Sequence, residues 1–185
     1  MLLPNMPMQG DTAPAFSAID QYGKEVHSKD LKGRKYVLYF YPKDDTPTCT
    51  VQACNLRDAH EDLSAAGIEV LGVSPDPVER HAKFSGKHKL PFRLLADPDH
   101  NMIDAYGVWG PKQLYGRKYE GLHRTTFVID GKGVIVQVIT AVKSKMHAEQ
   151  VLKAFQDVGT SRSNSNASAN TDRPTRKKKS MNSSK

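Results

Sequence analysis

Cysteine is nearly absent from this chain: Cys49 and Cys54 are the only two in 185 residues. Two thiols cannot staple a small secreted domain, so the disulfide-scaffold class is excluded. No apolar run approaches the length needed to cross a bilayer. The opening stretch "MLLPNMPMQGDTAPAF" has neither the basic region nor the sustained apolar segment of a signal peptide. Nothing points to secretion, and a cytoplasmic protein is the expectation. Hydrophobic residues make up only 38% of the chain, low for a wholly globular protein.

Part of that deficit lies at the C-terminus. Residues 161–185, "SRSNSNASANTDRPTRKKKSMNSSK", hold one large apolar residue, Met181. Such a stretch buries too little surface to offset its ordering entropy, and a disordered basic tail is expected there. The tail carries +6 of the net charge of +7, so residues 1–160 are nearly neutral. A neutral domain argues against nucleic-acid binding by the domain itself, leaving only a weak polyanion contact for the tail. The cluster "RPTRKKKS" also resembles a basic nuclear-localisation signal or a polyanion contact, although a solubilising extension is the preferred reading.

What remains is one domain with a substantial core. Strand-like runs occur at Tyr36–Tyr41, Ile68–Val73, Phe92–Ala96, Thr125–Asp130 and Val134–Ile139. Several are continuously apolar, as strands covered on both faces are. "DGKG" at 130–133 joins the last two as a hairpin, and "FSAID" and "KEVHS" form a weaker N-terminal one. Helical patterns lie between them over Thr48–Ala66, Pro77–His88, His100–Tyr106 and Lys145–Val158. Alternation of this kind predicts an α/β fold, a central mixed sheet flanked by helices, compatible with a thioredoxin-like architecture.

Both cysteines fall in "YPKDDTPTCTVQAC", residues 41–54, where a buried strand gives way to a helix. Thr46 suits the N-cap and Pro47 the first helical position, whose missing N–H costs nothing. Cys49 then lies in the first turn, near unpaired N–H groups and the positive end of the helix dipole, a setting that favours thiolate. Asp44 and Asp45 oppose this unless they point to solvent, which leaves a place for a compensating arginine. Helix geometry puts residues five apart roughly 8–9 Å from each other between Cα atoms, beyond the roughly 7 Å reach of a disulfide. A static staple is therefore a poor reading, and joining the pair requires the first turns to unwind. A metal clip fares worse, because two thiols without a second pair fall short of four ligands. Two incidental cysteines remain the plain alternative, since free thiols often pack as small hydrophobes. The histidines His27, His81, His88, His100, His123 and His147 are scattered and read as surface or interface groups, with His60 off any ligand face. Trp109 and the tyrosines around it read as packing and rim residues.

The stretch Pro42–Cys49, "PKDDTPTC", resembles the peroxiredoxin signature P-x-x-x-T/S-x-x-C. With "TVQACNLRD" after it and "YGVWGPKQLYGRKYEGLHRTTFVIDGKG" at 106–133, the chain is similar to the peroxiredoxin Q / bacterioferritin comigratory protein branch over residues 6–158. Thr48 departs from the glycine common at its position in that branch. The resemblance implies a thiol peroxidase. Cys49 would be the peroxidatic thiolate, Cys54 the resolving thiol in an intramolecular disulfide, and thioredoxin the reductant. It further implies a hydroxyl from Thr46 for the peroxide, shielding of the sulfur by Pro42, and charge stabilisation by Arg124. Arg57 is open between solvation and support of the site. Neither metal nor organic cofactor is expected, because sulfur carries both electrons. An intramolecular pair needs no second subunit, which favours a monomer. Two alternatives compete: a thiol–disulfide oxidoreductase, whose usual C-x-x-C spacing is not present, and a non-catalytic binding protein that uses its basic tail.

Overall fold

The computed structural model describes residues 3–165. Most of the basic tail, residues 166–185, lies outside the described residues, and so does any contact by it. Seven strands form one sheet in the order β2-β1-β5-β4-β3-β8-β9. These are β1 (Ser17–Asp20), β2 (Glu25–His27), β3 (Lys35–Phe40), β4 (Ile68–Ser74), β5 (Arg93–Ala96), β8 (Thr125–Ile129) and β9 (Ile135–Ile139). β3 runs parallel to β4 and antiparallel to β8, so the sheet is mixed. The predicted N-terminal hairpin is β1–β2, added to the sheet edge through β5. The predicted hairpin after β8 is also present, with Asp130 accepting from the N–H groups of Lys132, Gly133 and Val134.

Continuous apolarity in β3 has the cause expected of it. Tyr36, Leu38 and Phe40 enter one core cluster with Leu71, Val73, Phe127 and Ile129. Val37, Tyr39 and Tyr41 enter a second with Cys49, Leu56, Leu63, Phe84 and Val151. Successive strand side chains point to opposite faces, so both faces of β3 are buried. Helix α1 (Pro47–Asp58) turns Cys49, Gln52, Ala53 and Leu56 inward, one stripe at helical spacing. Helices α2 (His60–Ala65), α3 (Val78–His88) and α5 (His147–Ser165) contribute Leu63, Phe84, Ala148, Val151 and Ala154 to the second cluster. Helix α4 (Asn101–Ala105) supplies Met102 and Ile103 to the first.

Three expectations change. The helix read over Thr48–Ala66 is two helices, because Ala59 leaves helical geometry at φ −97° and ψ 11°. Alanine is the best helix former, so this break is imposed by packing and has no local signal. Helix α5 continues to Ser165, past the Val158 end read from the pattern. Finally, β6 (Trp109–Leu114) and β7 (Arg117–Leu122) form a two-stranded ribbon that hydrophobic alternation did not reveal. The ribbon is mostly exposed and so carries no buried face to imprint a period. Its turn places Tyr115 and Gly116 at φ 47° and 77°, the left-handed pair of a tight hairpin.

At Gly72 of β4, opposite Tyr39 in the register, a Cβ would lie 2.7 Å from Leu94 and 2.8 Å from the Tyr39 ring. Gly72→Ala is therefore expected to overpack the sheet and lower the unfolding free energy by about 1–3 kcal/mol, measured by urea titration.

Candidate active site

Strand β3 ends at Phe40, and the loop after it turns back through Asp45, at φ 58°, into helix α1. Thr46 takes the N-cap position with Pro47 behind it, as the sequence implies. The Thr46 hydroxyl does not cap the helix, however. It donates to the Lys43 carbonyl at 3.0 Å, which tightens the loop. The Thr46 carbonyl accepts the N–H of Thr50, so the N–H groups of Thr48 and Cys49 lie ahead of the first such bond. Pro42 is half-buried at the end of β3.

Cys49 is 2% exposed and Cys54 partly exposed, and both are free thiols in one unbroken helix. The Arg124 guanidinium, from the junction of β7 and β8, donates Nη2–H to the Cys49 sulfur at 3.2 Å. A guanidinium at this distance gives the buried sulfur a charged hydrogen-bond donor. The two residues are 75 positions apart in sequence.

The two carboxylates flanking the site divide. Asp45 faces solvent and pairs with Lys87 and His88, whose hydrogen bonds hold its carboxyl below the usual range. Asp44 turns inward and is fully buried. It accepts from Tyr41 Oη at 2.5 Å and is hydrogen-bonded to His81 Nδ1 at 2.6 Å. Its own N–H donates to Asp76 at 2.7 Å. Asp44 thereby anchors the loop, with its carboxyl oxygens engaged by Tyr41 and His81. Burial drives the Tyr41 hydroxyl well above its ordinary range, so it serves as a donor.

His81 and His147 correct the view of the histidines as surface groups, since both are fully buried. Nothing adjacent in sequence marks either one, and only tertiary contacts satisfy its ring. His81 spans Asp44 and the Leu95 carbonyl. His147, at the first position of α5, spans Gln52 at 3.0 Å and Thr126 at 2.8 Å. Gln52 also accepts a hydrogen bond from Arg124 Nη1. Sequence reasoning missed Gln52, although three positions beyond Cys49 in a helix is the same face. Arg57 does not reach the sulfur of Cys49 by any hydrogen bond. It pairs with Asp58 and donates to the His88 carbonyl at 2.8 Å.

Arg124 also lines a largely apolar cavity of ≈ 550 Å³ with Leu3, Met6, Pro111, Lys112 and Thr140. Lys112 donates to the Leu122 carbonyl at 2.9 Å, and burial, then Arg124, pulls its ammonium below the usual range. Among the described residues no cluster of side chains is arranged to hold a metal ion, and no helix is long and apolar enough to cross a membrane.

A thiol at a helix start, facing a guanidinium from a distant strand, defines a class. Residues 9–138 match the AhpC/TSA family, and the chain belongs to that family. Within it the likeness is to peroxiredoxin Bcp. The Escherichia coli K12 protein of that name is 46% identical over 148 residues, 80% of this chain and 95% of the relative. The Bacillus subtilis protein is 42% identical over 149 residues, with the same coverage. Peroxiredoxin Q of Xanthomonas campestris has the same fold, with a TM-score of 0.75 at 32% identity, covering 83% of this chain and 99% of that one. The thioredoxin-like α/β expectation holds, and the chain is a thiol-dependent peroxidase by kinship.

Burial, and then Arg124, hold the His147 pKa down at about 3. The unfolded chain binds this proton near pH 6.5 and the folded one does not, so folding stability falls as pH drops from about 6.5 toward 3. Relative to His147→Asn, the native protein is expected to lose up to ~1.4 kcal/mol per pH unit in that window. Urea unfolding at pH 7 and pH 5 measures the difference.

Proposed function

We propose that this peroxiredoxin reduces hydrogen peroxide and organic hydroperoxides through Cys49, resolves the product with Cys54, and is recycled by a thioredoxin-type dithiol. The contact that carries the reading is Arg124 to the Cys49 sulfur at 3.2 Å. The Cys49 thiolate attacks the distal oxygen of the hydroperoxide. An S–O bond forms, the O–O bond breaks, and its electron pair leaves with the alkoxide or hydroxide, which takes a proton. Arg124 lies where negative charge passes from sulfur to oxygen. In this reading the Thr46 hydroxyl orients the peroxide and half-buried Pro42 helps to exclude water from the sulfur. The cavity beside Arg124 offers space for the organic part of a larger hydroperoxide.

Cys54 then attacks the sulfenic sulfur of Cys49. The disulfide forms, hydroxide departs and is protonated to water, and the partner dithiol reduces the disulfide by two exchanges. This step demands unwinding, because α1 holds the two thiols too far apart for a bond. Both ends of the segment are anchored. Buried Asp44 fixes the upstream end. Downstream, Asn55 donates to the Lys145 carbonyl at 3.0 Å and accepts from the Ala148 N–H at 2.8 Å. Residues 45–54 can therefore unwind as a unit while the sheet stays folded. A single subunit suffices, and a cytoplasmic setting suits a thioredoxin-type reductant.

Peroxide-dependent NADPH oxidation, coupled through thioredoxin and its reductase, tests the assignment. Wild type is expected to turn over, Cys49→Ser to be inactive, and Cys54→Ser to stall after one equivalent of peroxide. Arg124→Met should cost roughly 10²–10³-fold in the peroxide step. A Cys49→Ser protein that still consumes peroxide sinks the reading.

A further inference from the structure

Arg124 does not stand alone against Cys49. Its Nη1 donates to the Gln52 side-chain oxygen, and Nη2 to the sulfur. A guanidinium only donates, so the oxygen of the Gln52 amide must face Arg124 and the NH₂ must face away. That NH₂ meets His147 Nδ1 at 3.0 Å. Nδ1 then has to accept, which leaves the ring hydrogen on Nε2, directed at the Thr126 hydroxyl 2.8 Å away. Gln52, His147 and Thr126 are all fully buried, so no solvent replaces a missing partner. Thr126 follows Arg124 by two positions at the start of β8, and the chain of bonds closes back on the strand that begins just after the arginine.

We infer that His147 is a positioning residue for peroxide reduction: as a neutral imidazole protonated at Nε2, it fixes the Gln52 amide that holds Arg124 against the Cys49 sulfur. The inference rests on the reading of Cys49 and Arg124 as the peroxide-reducing pair. An imidazolium would present two donors, and its Nδ1–H would confront the Gln52 NH₂. The amide would have to flip, turning its NH₂ on the guanidinium and releasing Arg124 from one of its two bonds. The groups packed on the ring disfavour that state. Arg124, just ahead of β8, is cationic, and Tyr39 from β3, edge-on at 5.8 Å between ring centres, is kept neutral chiefly by burial. Gln52 from α1 and Thr126 from β8 carry no charge.

The test uses the full-length reduced protein labelled with ¹⁵N-histidine, with the His147 signal assigned by its loss in His147→Asn. Between pH 5 and pH 8 the ring nitrogens are expected to report the neutral Nε2–H tautomer throughout. An imidazolium, or an Nδ1–H tautomer, overturns the inference whatever the reaction rates of the variants. Stopped-flow reaction of pre-reduced protein with hydrogen peroxide tests the role. His147→Leu, which leaves the Gln52 NH₂ without an acceptor, should slow the reaction by about 10- to 100-fold. His147→Asn, whose side-chain oxygen replaces Nδ1 as acceptor, should restore most of the rate. Equal rates in wild type and His147→Leu, or an Asn variant as slow as the Leu one, overturn the role. Wild type that consumes no peroxide overturns the peroxidase reading itself, and the inference with it. A peroxide-consuming wild type with the wrong tautomer overturns the inference alone.

Discussion

One hydrogen bond, from a guanidinium to a buried sulfur, makes demands on most of this fold. Cys49 has to sit at a helix start, out of water, and Arg124 has to arrive from 75 residues away. A charged side chain in such a place is costly unless it is paired and its remaining donors are satisfied. The sheet supplies the fixed frame: β3 delivers the loop that leads to Cys49, and β8, its direct antiparallel neighbour, begins next to Arg124. The exposed β6–β7 ribbon leads the chain into that junction. Its base is tied where the His123 N–H donates to the Val108 carbonyl at 2.7 Å.

The polar groups around this contact form two buried networks on either side of α1. Asp44, Tyr41, His81, Asp76 and Ser74 hold the loop before the helix. Gln52, His147 and Thr126 hold the arginine. Networks of this kind rigidify a site when every member is satisfied, and they lose more than a pairwise sum when one is removed. Tyr39 marks the limit of the arrangement. Its ring fills the space over Gly72, but its buried hydroxyl finds no hydrogen-bond partner among the described residues. Packing has been favoured there over polar satisfaction.

Rigidity and motion are thus separated along a short segment. A peroxidatic thiol works best in a preorganised pocket, while a resolving thiol in the same helix works only if that helix opens. In the proposed cycle the anchors at Asp44 and Asn55 bracket the part that has to change, and its opening withdraws Cys49 and Ala53 from the second core cluster while leaving the first intact. The apolar residues withdrawn by opening the first turns of α1 are the small Cys49 and Ala53, since the large apolar Leu56 lies beyond Asn55. Local opening at low cost is expected of segments with few buried apolar contacts.

The class of fold, the strand that leads to the site, the position of Cys49 at a helix start and the conflict between helix geometry and a disulfide were all legible in the order of the residues. All of these follow from local rules: apolar runs, Thr-Pro at a helix entry, and the fixed rise and turn of a helix. The resemblance also pointed to Arg124. Tertiary structure alone decided which polar residues serve it. Gln52, His147 and Asp44 are ordinary surface-type residues by composition, and what makes them matter is burial opposite a complementary donor or acceptor. The break at Ala59 and the β6–β7 ribbon escaped for the same reason in reverse: one contradicts its local propensity, and the other has no buried face to leave a pattern. Periodicity records which side of an element is dry. It does not record which distant partner a buried hydrogen-bonding group will meet.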